Sequence, residues 1–232
     1  MAIYDVYGNV IAAGGEADVN LAKWRGKKII VDGSSITSGG AGGKSPAWPT
    51  WLANELGVTI YDHSLSGSQW LWTYAYASSY SRLGDYEADA DAIILMGDFS
   101  SSYTSLGAIG DAANVTGETY YARLKGYAEA LISAFPLIPI IWAVEPPRNW
   151  SEHNVPTARQ EVIASAIKSV AELYGFSTAD CLHNTIYRPY NETNYAANTT
   201  DGTHPLNNIQ RGMAQILIET LRRTPVVYPA QF

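Results

Sequence analysis

Ile29-Ile30-Val31-Asp32-Gly33-Ser34-Ser35-Ile36-Thr37-Ser38-Gly39-Gly40 is the stretch on which the fold turns. Three consecutive β-branched residues, led in by Trp24-Arg25-Gly26-Lys27-Lys28 and followed by a Gly/Ser turn, form the pattern of a buried parallel strand. Working outward, the same signal recurs at 58–61, 92–96 and 138–144. Helical spacing fills the intervals. Residues 46–56 put Trp48, Trp51, Leu52 and Leu56 on one face, with Gly57 as a stop. Residues 119–135 carry Tyr120, Leu124, Tyr127, Ala128 and Leu131 at that spacing, and 156–174 carry Val162, Ile163, Ile167, Val170 and Leu173. A last helix over 208–222 runs through Met213, Ile216, Leu217 and Leu221, with Arg222 and Arg223 at its negative end. Strands alternating with helices at these intervals call for a parallel sheet covered on both faces, a three-layer α/β/α sandwich. Residues 1–23, with a loosely alternating Tyr4 to Ile11 and a Gly14-Gly15 loop, are expected to form an arm before a single domain over 24–232.

Composition narrows the functions available. With 232 residues, 47% hydrophobic and 16% charged, the chain can bury a full core without covalent staples. Its net charge of -7 and lack of a basic run exclude the cationic footprint that a nucleic acid or an anionic membrane surface requires. No apolar run reaches membrane-spanning length, and Met1 to Asp5 lacks the features of a signal peptide. The compartment is left open between the cytoplasm and a virion or extracellular assembly, and so is homo-oligomerisation. The one cysteine, Cys181, reads as a small buried hydrophobe. Neither His63 nor His183 has partners at metal-ligand spacing, so no metal or other cofactor is expected. His153, in a polar loop, reads as exposed, and the sequons at Asn114, Asn149, Asn191 and Asn198 matter only on a eukaryotic secretory route.

Ligands of open α/β sheets bind at the carboxyl ends of the strands, which directs attention to the loops there. Ser35 follows the first strand, where a strand-to-helix turn can present a hydroxyl while backbone N–H groups stay free for an oxyanion. Taken alone, that Gly/Ser segment reads first as an ordinary flexible turn. Gly67 follows the second strand and either closes a tight turn or aims its N–H at a ligand. Asp201-Gly202-Thr203-His204-Pro205, just before the last helix, is the sharper signal. An aspartate three residues ahead of a histidine can reach its Nδ1–H and fix the tautomer, leaving Nε2 to take a proton from a serine.

These blocks resemble the SGNH (GDSL-type) serine hydrolases over roughly residues 24–222. Gly33-Ser34-Ser35-Ile36-Thr37 lines up with the family's Gly-Asp-Ser-Ile-Thr block, Gly67 with its second-block glycine, and Asp201 to Pro205 with its last block. The resemblance implies a flavodoxin-like five-stranded sheet. It also implies a triad of Ser35, Asp201 and His204, with an oxyanion hole from the N–H groups of Ser35 and Gly67. In texture, from the Trp24–Lys28 lead-in and the Asp201–Pro205 phrase, the nearest likeness is to tail-associated domains of phages and prophages and to carbohydrate esterases. Two departures stand out. Ser34 replaces the family's aspartate, and the third block, Gly-x-Asn-Asp, reads here Gly97-Asp98-Phe99-Ser100. No register supplies the asparagine that donates to the oxyanion, so a weakened enzyme, a rebuilt hole and a site that only binds all stay open.

Further substrate contacts are expected at the same edge: Gly97, Asp98, Glu145, Arg148, and Trp70 and Trp72 of the aromatic run 70–80. Glu145 and Arg148 admit a second reading as an ion pair with each other, and the aromatic run a second reading as packing. The expected activity is hydrolysis of a short-chain ester, in first place acetyl, on a small molecule or glycan. The alternative is a carbohydrate-binding or adhesion module on a decayed hydrolase frame within a tail-like assembly. A lipase for long acyl chains stands further off.

Overall fold

The computed structural model describes residues 3–4, 10–12, 19–39, 46–71, 77–97, 99, 109–110, 119–149 and 157–226. Asp98, Trp72, Tyr74, Tyr76, Asn114, His153 and much of the expected arm lie outside the described residues. In chain order come β1 (Ile3–Tyr4) and β2 (Val10–Ala12), which pair antiparallel, then α1 (Val19–Ala22), β3 (Lys28–Gly33) and α2 (Ser35–Ser38). Next are α3 (Trp48–Leu56), β4 (Thr59–Asp62), a 3₁₀ turn at Tyr80–Asp85, β5 (Ala92–Gly97), α4 (Tyr120–Ala134) and β6 (Ile140–Val144). α5 (Thr157–Leu173), β7 (Ser177–Asp180), α6 (Cys181–Asn184), α7 (Glu192–Asn198) and α8 (Asn207–Arg223) complete the series.

β3 to β7 form one sheet in the order β4-β3-β5-β6-β7, with every pair parallel. The chain therefore winds outward in both directions from β3, and the order reverses between β3 and β5. That switch point opens the crevice in which such sheets hold ligands. The three inner strands are buried almost throughout, and the edges β4 and β7 are mixed. Side chains alternate along each strand and so divide into two cores. Ile30, Ile93, Leu95, Trp142 and Val144 pack beneath α4 and α5 with Leu124, Tyr127, Ile163 and Ile167. Ile29, Val31, Ile94, Met96, Ile141 and Ala143 pack beneath α3 and α8 with Trp48, Leu52, Met213 and Leu217. Three layers result.

The helix ends follow local chemistry. The Thr119 hydroxyl caps α4 by accepting the Ala122 N–H, and Gly57 ends α3 at φ 67°. The buried face of α5 differs from the expected one: Val162 and Leu173 are 45% and 60% exposed. The buried stripe runs through Ile163, Ala164, Ile167, Val170 and Ala171, and Val162 sits about 100° around the helix from Ile163. β7 had no reading as a strand, because Ser-Thr-Ala-Asp is short and polar, as an edge strand allows. Cys181 is buried at the start of α6, and desolvation pushes its thiol far above the usual range, as an inert hydrophobe requires. Among the described residues no helix is long and apolar enough to cross a membrane.

Candidate active site

Ser35 opens α2 directly beyond β3, so its backbone N–H is one of the helix's unpaired N-terminal donors. The preceding Ser34 caps the helix through its hydroxyl, which accepts from the Ile36 N–H. From the other end of the chain, the loop before α8 brings in His204. Its Nε2 lies 2.8 Å from Ser35 Oγ, and its Nδ1 lies 2.6 Å from Asp201 Oδ2. A proton on Nδ1 satisfies both contacts: Nδ1–H donates to the carboxylate and Nε2 accepts from the serine. The three predicted residues thus converge across 169 positions of chain between Ser35 and His204.

The turn that carries the Asp/His pair is built for one geometry. Asp201 Oδ1 accepts the N–H groups of Thr203 and His204 at 2.9 and 2.8 Å, which leaves Oδ2 for the imidazole. Burial raises the Asp201 carboxyl, but the bonds from the His204 ring and from the His204 and Thr203 N–H groups outweigh it, and its pKa ends below the ordinary value. Thr199 Oγ1 accepts the Gly202 N–H at 3.0 Å and donates to the His204 carbonyl at 3.0 Å. Gly202 stands at φ 78°, and a Cβ there would lie 1.9 Å from the Asn149 carbonyl oxygen. Only glycine fits.

Gly67, at φ 80°, sits in the turn after β4. That segment runs beside the nucleophile strand, with the His63 N–H on the Val31 carbonyl and the Leu65 N–H on the Gly33 carbonyl. Ser38 Oγ meets Ser66 Oγ at 2.9 Å and ties the two loops together. A cavity of about 180 Å³ is lined by Ser34, Ser35, Gly67, Arg148, Asp201, Thr203 and His204. Both predicted oxyanion residues therefore share one cavity with the triad.

The other candidates divide. Arg148 is on the cavity wall. Glu145 is not: it is fully buried, accepts the Ser34 hydroxyl at 2.8 Å and the Phe99 N–H at 2.9 Å, and lies 2.7 Å from Arg148 Nη2. Its place is the ion pair and not a substrate contact. Gly97 is a packing position, since a Cβ there would meet Trp70 Nε1 at 2.5 Å. Trp70 is no sugar platform either; it is 1% exposed, and its ring centroid lies 5.1 Å from that of Trp142 in the α4/α5 core. A large apolar ring gains more from core burial than from solvent at a cleft rim. In the third block the Phe99 side chain is buried in that same core, so it presents no donor to the cavity.

Several supporting residues gave no sequence signal. Asp32, fully buried at the end of β3, accepts from Arg82 Nη2 at 2.7 and 2.9 Å, from the Tyr86 hydroxyl at 2.7 Å and from the Gly33 N–H at 2.6 Å. Arg82 also donates to the His63 carbonyl at 3.2 Å and to Ser68 Oγ at 2.8 Å, clasping the Gly67 turn to β3. Burial leaves the Asp32 pKa above its ordinary value despite these donors. Gln210 of α8, also buried, accepts the Trp48 N–H at 2.9 Å and donates to the Ile36 carbonyl at 3.2 Å. It thereby staples the nucleophile helix to the helix that follows His204. Gln210→Leu should cost about 1–3 kcal/mol for each group left without a partner, read by urea unfolding.

Among the described residues no group of three or more His, Cys, Asp and Glu side chains could hold a metal ion. His63 meets Glu87 at 2.8 Å, and His183 meets Asp180 and Glu161 in exposed contacts.

No family model matches the sequence, and no curated protein matches it. Solved structures do match in shape. A protein from Lactobacillus plantarum has a TM-score of 0.70 at 20% identity, covering 84% of this chain and 95% of that one. A lipase/acylhydrolase from Enterococcus faecalis has a TM-score of 0.64 at 13% identity, covering 84% and 95%. An acetyl-xylooligosaccharide esterase from Geobacillus has a TM-score of 0.57 at 16% identity, covering 85% and 94%. With its all-parallel sheet in the order β4-β3-β5-β6-β7, this chain has the fold of the SGNH/GDSL-type hydrolases.

Proposed function

We propose that this chain is a serine esterase that removes a short acyl group, in first place acetyl, from a carbohydrate through an acyl-enzyme. The observation that carries the reading is the unbroken relay from Ser35 Oγ through the His204 ring to Asp201. In the first half-reaction the Ser35 hydroxyl loses its proton to His204 Nε2 as Oγ bonds to the ester carbonyl carbon, and the carbonyl electron pair moves onto oxygen. Asp201 holds the ring and stabilises its charged form. The N–H groups of Ser35 and Gly67 donate to the oxyanion. Collapse of the tetrahedral species expels the alcohol, which takes the proton from His204. Water then repeats the sequence on the acyl-serine, releasing the acid and restoring Ser35.

The small cavity, about 180 Å³, supports a short acyl group over a long chain. The carbohydrate half of the reading leans on the fold neighbour that acts on acetylated xylooligosaccharides. A binding module without turnover is the second reading, favoured by a buried Phe99 where the family carries its asparagine.

A fluorophosphonate probe with mass spectrometry separates the two. The esterase reading expects one adduct, on Ser35 and absent from Ser35→Ala, and faster cleavage of p-nitrophenyl acetate than of the octanoate. Wild type and Ser35→Ala cleaving the acetate equally would end it. Release of acetate from acetylated xylooligosaccharides then tests the carbohydrate half.

A further inference from the structure

We propose that the Arg148 guanidinium is the third oxyanion donor of this site, in the role that a third-block side-chain amide fills in the family the sequence resembles. The inference rests on the esterase reading and names the residue that completes its chemistry. Arg148 is the one cation among the described residues lining the cavity with Ser35, Gly67 and His204. It is 4% exposed, so its charge is held out of bulk solvent beside that cavity. Its Nη2 stands 2.7 Å from Glu145 Oε2 in an ion pair that fixes the guanidinium. A guanidinium carries five N–H donors, more than the Glu145 contact uses, and developing negative charge on a carbonyl oxygen is the acceptor that this chemistry generates beside Ser35.

The surroundings hold the donor in place. The Arg148 N–H donates to Gln160 Oε1 at 3.0 Å, and its carbonyl accepts from Gln160 Nε2 at 2.9 Å and from the Tyr190 hydroxyl. Both ends of the residue are pinned by a fully buried side chain. The side chain is anchored through Glu145, and Glu145 accepts the hydroxyl of Ser34, the residue before the nucleophile. Nucleophile turn and cation are thus joined in one network, as a donor fixed before the reaction requires. The two departures from the family pattern then explain each other. Serine in place of aspartate at position 34 lets the turn bind Glu145 without a second negative charge, and Glu145 steadies the arginine that substitutes for the missing amide.

The test uses the neutral ester p-nitrophenyl acetate, with Arg148→Met, Arg148→Lys, and Arg148→Met combined with Glu145→Gln. The double variant removes both charges, so that no carboxylate is stranded if the single variant unfolds. Arg148→Met and the double variant should lose about 10²–10³ in kcat, with KM changing less than about threefold. Arg148→Lys should recover part of the loss. Affinity for a boronic acid, which forms a tetrahedral anion on Ser35, should fall in parallel. Folded variants that keep wild-type kcat on the neutral ester overturn the proposal. So does a defect confined to the KM of an anionic ester such as the p-nitrophenyl succinate hemiester, which would make Arg148 a substrate-anion site. Wild type without Ser35-dependent turnover removes the esterase reading as well, so the two failures are distinguishable.

Discussion

Ser35→Ala and His204→Ala should each lower kcat for p-nitrophenyl acetate by about 10⁶, and the double variant should fall no further. The reason is that serine and imidazole act as one unit. The hydroxyl is a poor nucleophile until Nε2, 2.8 Å away, takes its proton, and the imidazole has nothing to activate without the hydroxyl. Asp201→Asn should have a smaller effect, about 10⁴, because the geometry survives and the tautomer does not. An amide at that position can donate to Nδ1, which places the ring proton on Nε2 and blocks proton transfer from Ser35. Steady-state kinetics of the four variants check the series; additive losses in the double variant would contradict it. The same carboxylate predicts a pH signature. Its pKa is lower in the folded chain, so its contribution to stability is complete above the ordinary value of 3.8 and is lost as pH falls through the lowered value. Thermal unfolding from about pH 2 to 7 should show wild type losing stability at the acid end that Asp201→Asn does not lose.

Arg82→Ala should destabilise the fold by about 3–5 kcal/mol at neutral pH, the cost of stranding a buried partner charge. Asp32 is fully buried, and Arg82 is its only cationic partner among the described residues. Removing that partner leaves the Tyr86 hydroxyl and the Gly33 N–H to serve an uncompensated carboxylate. The sign of the pH effect follows from burial. The Asp32 pKa already lies above its ordinary value, so acid neutralises it readily, and the gap between wild type and Arg82→Ala should narrow as pH falls. Asp32→Asn combined with Arg82→Met should recover much of the loss, since a polar group paired by Tyr86 replaces a stranded charge. Urea unfolding at two pH values measures both effects. The lost clasp on Ser68 and the His63 carbonyl should also loosen the Gly67 turn and lower kcat in variants that stay folded.

The boundary between what the chain announced and what it concealed follows the range of each interaction. Strands and helices declared themselves because burial on a sheet face or helix face imposes a period on neighbouring residues, as at Ile29 to Val31 and along α8. The Asp201/His204 pair was legible for the same reason: the two residues sit three apart on one turn, and their contact is local. Short, polar β7 carried no period and passed unread.

The amino-acid sequence by itself therefore determined the layered α/β architecture, the strand that leads to Ser35 and the acid–histidine pair. Tertiary structure alone decided which side chains serve that site. Ser34 with Glu145 and Asp32 with Arg82 are pairs 111 and 50 positions apart. Trp70 chose the core over the cleft because Trp142 and Tyr127 were there to receive it. A hydrogen bond or a ring contact between distant positions leaves no periodic mark on either segment. Its partners exist only once the sheet has brought them together.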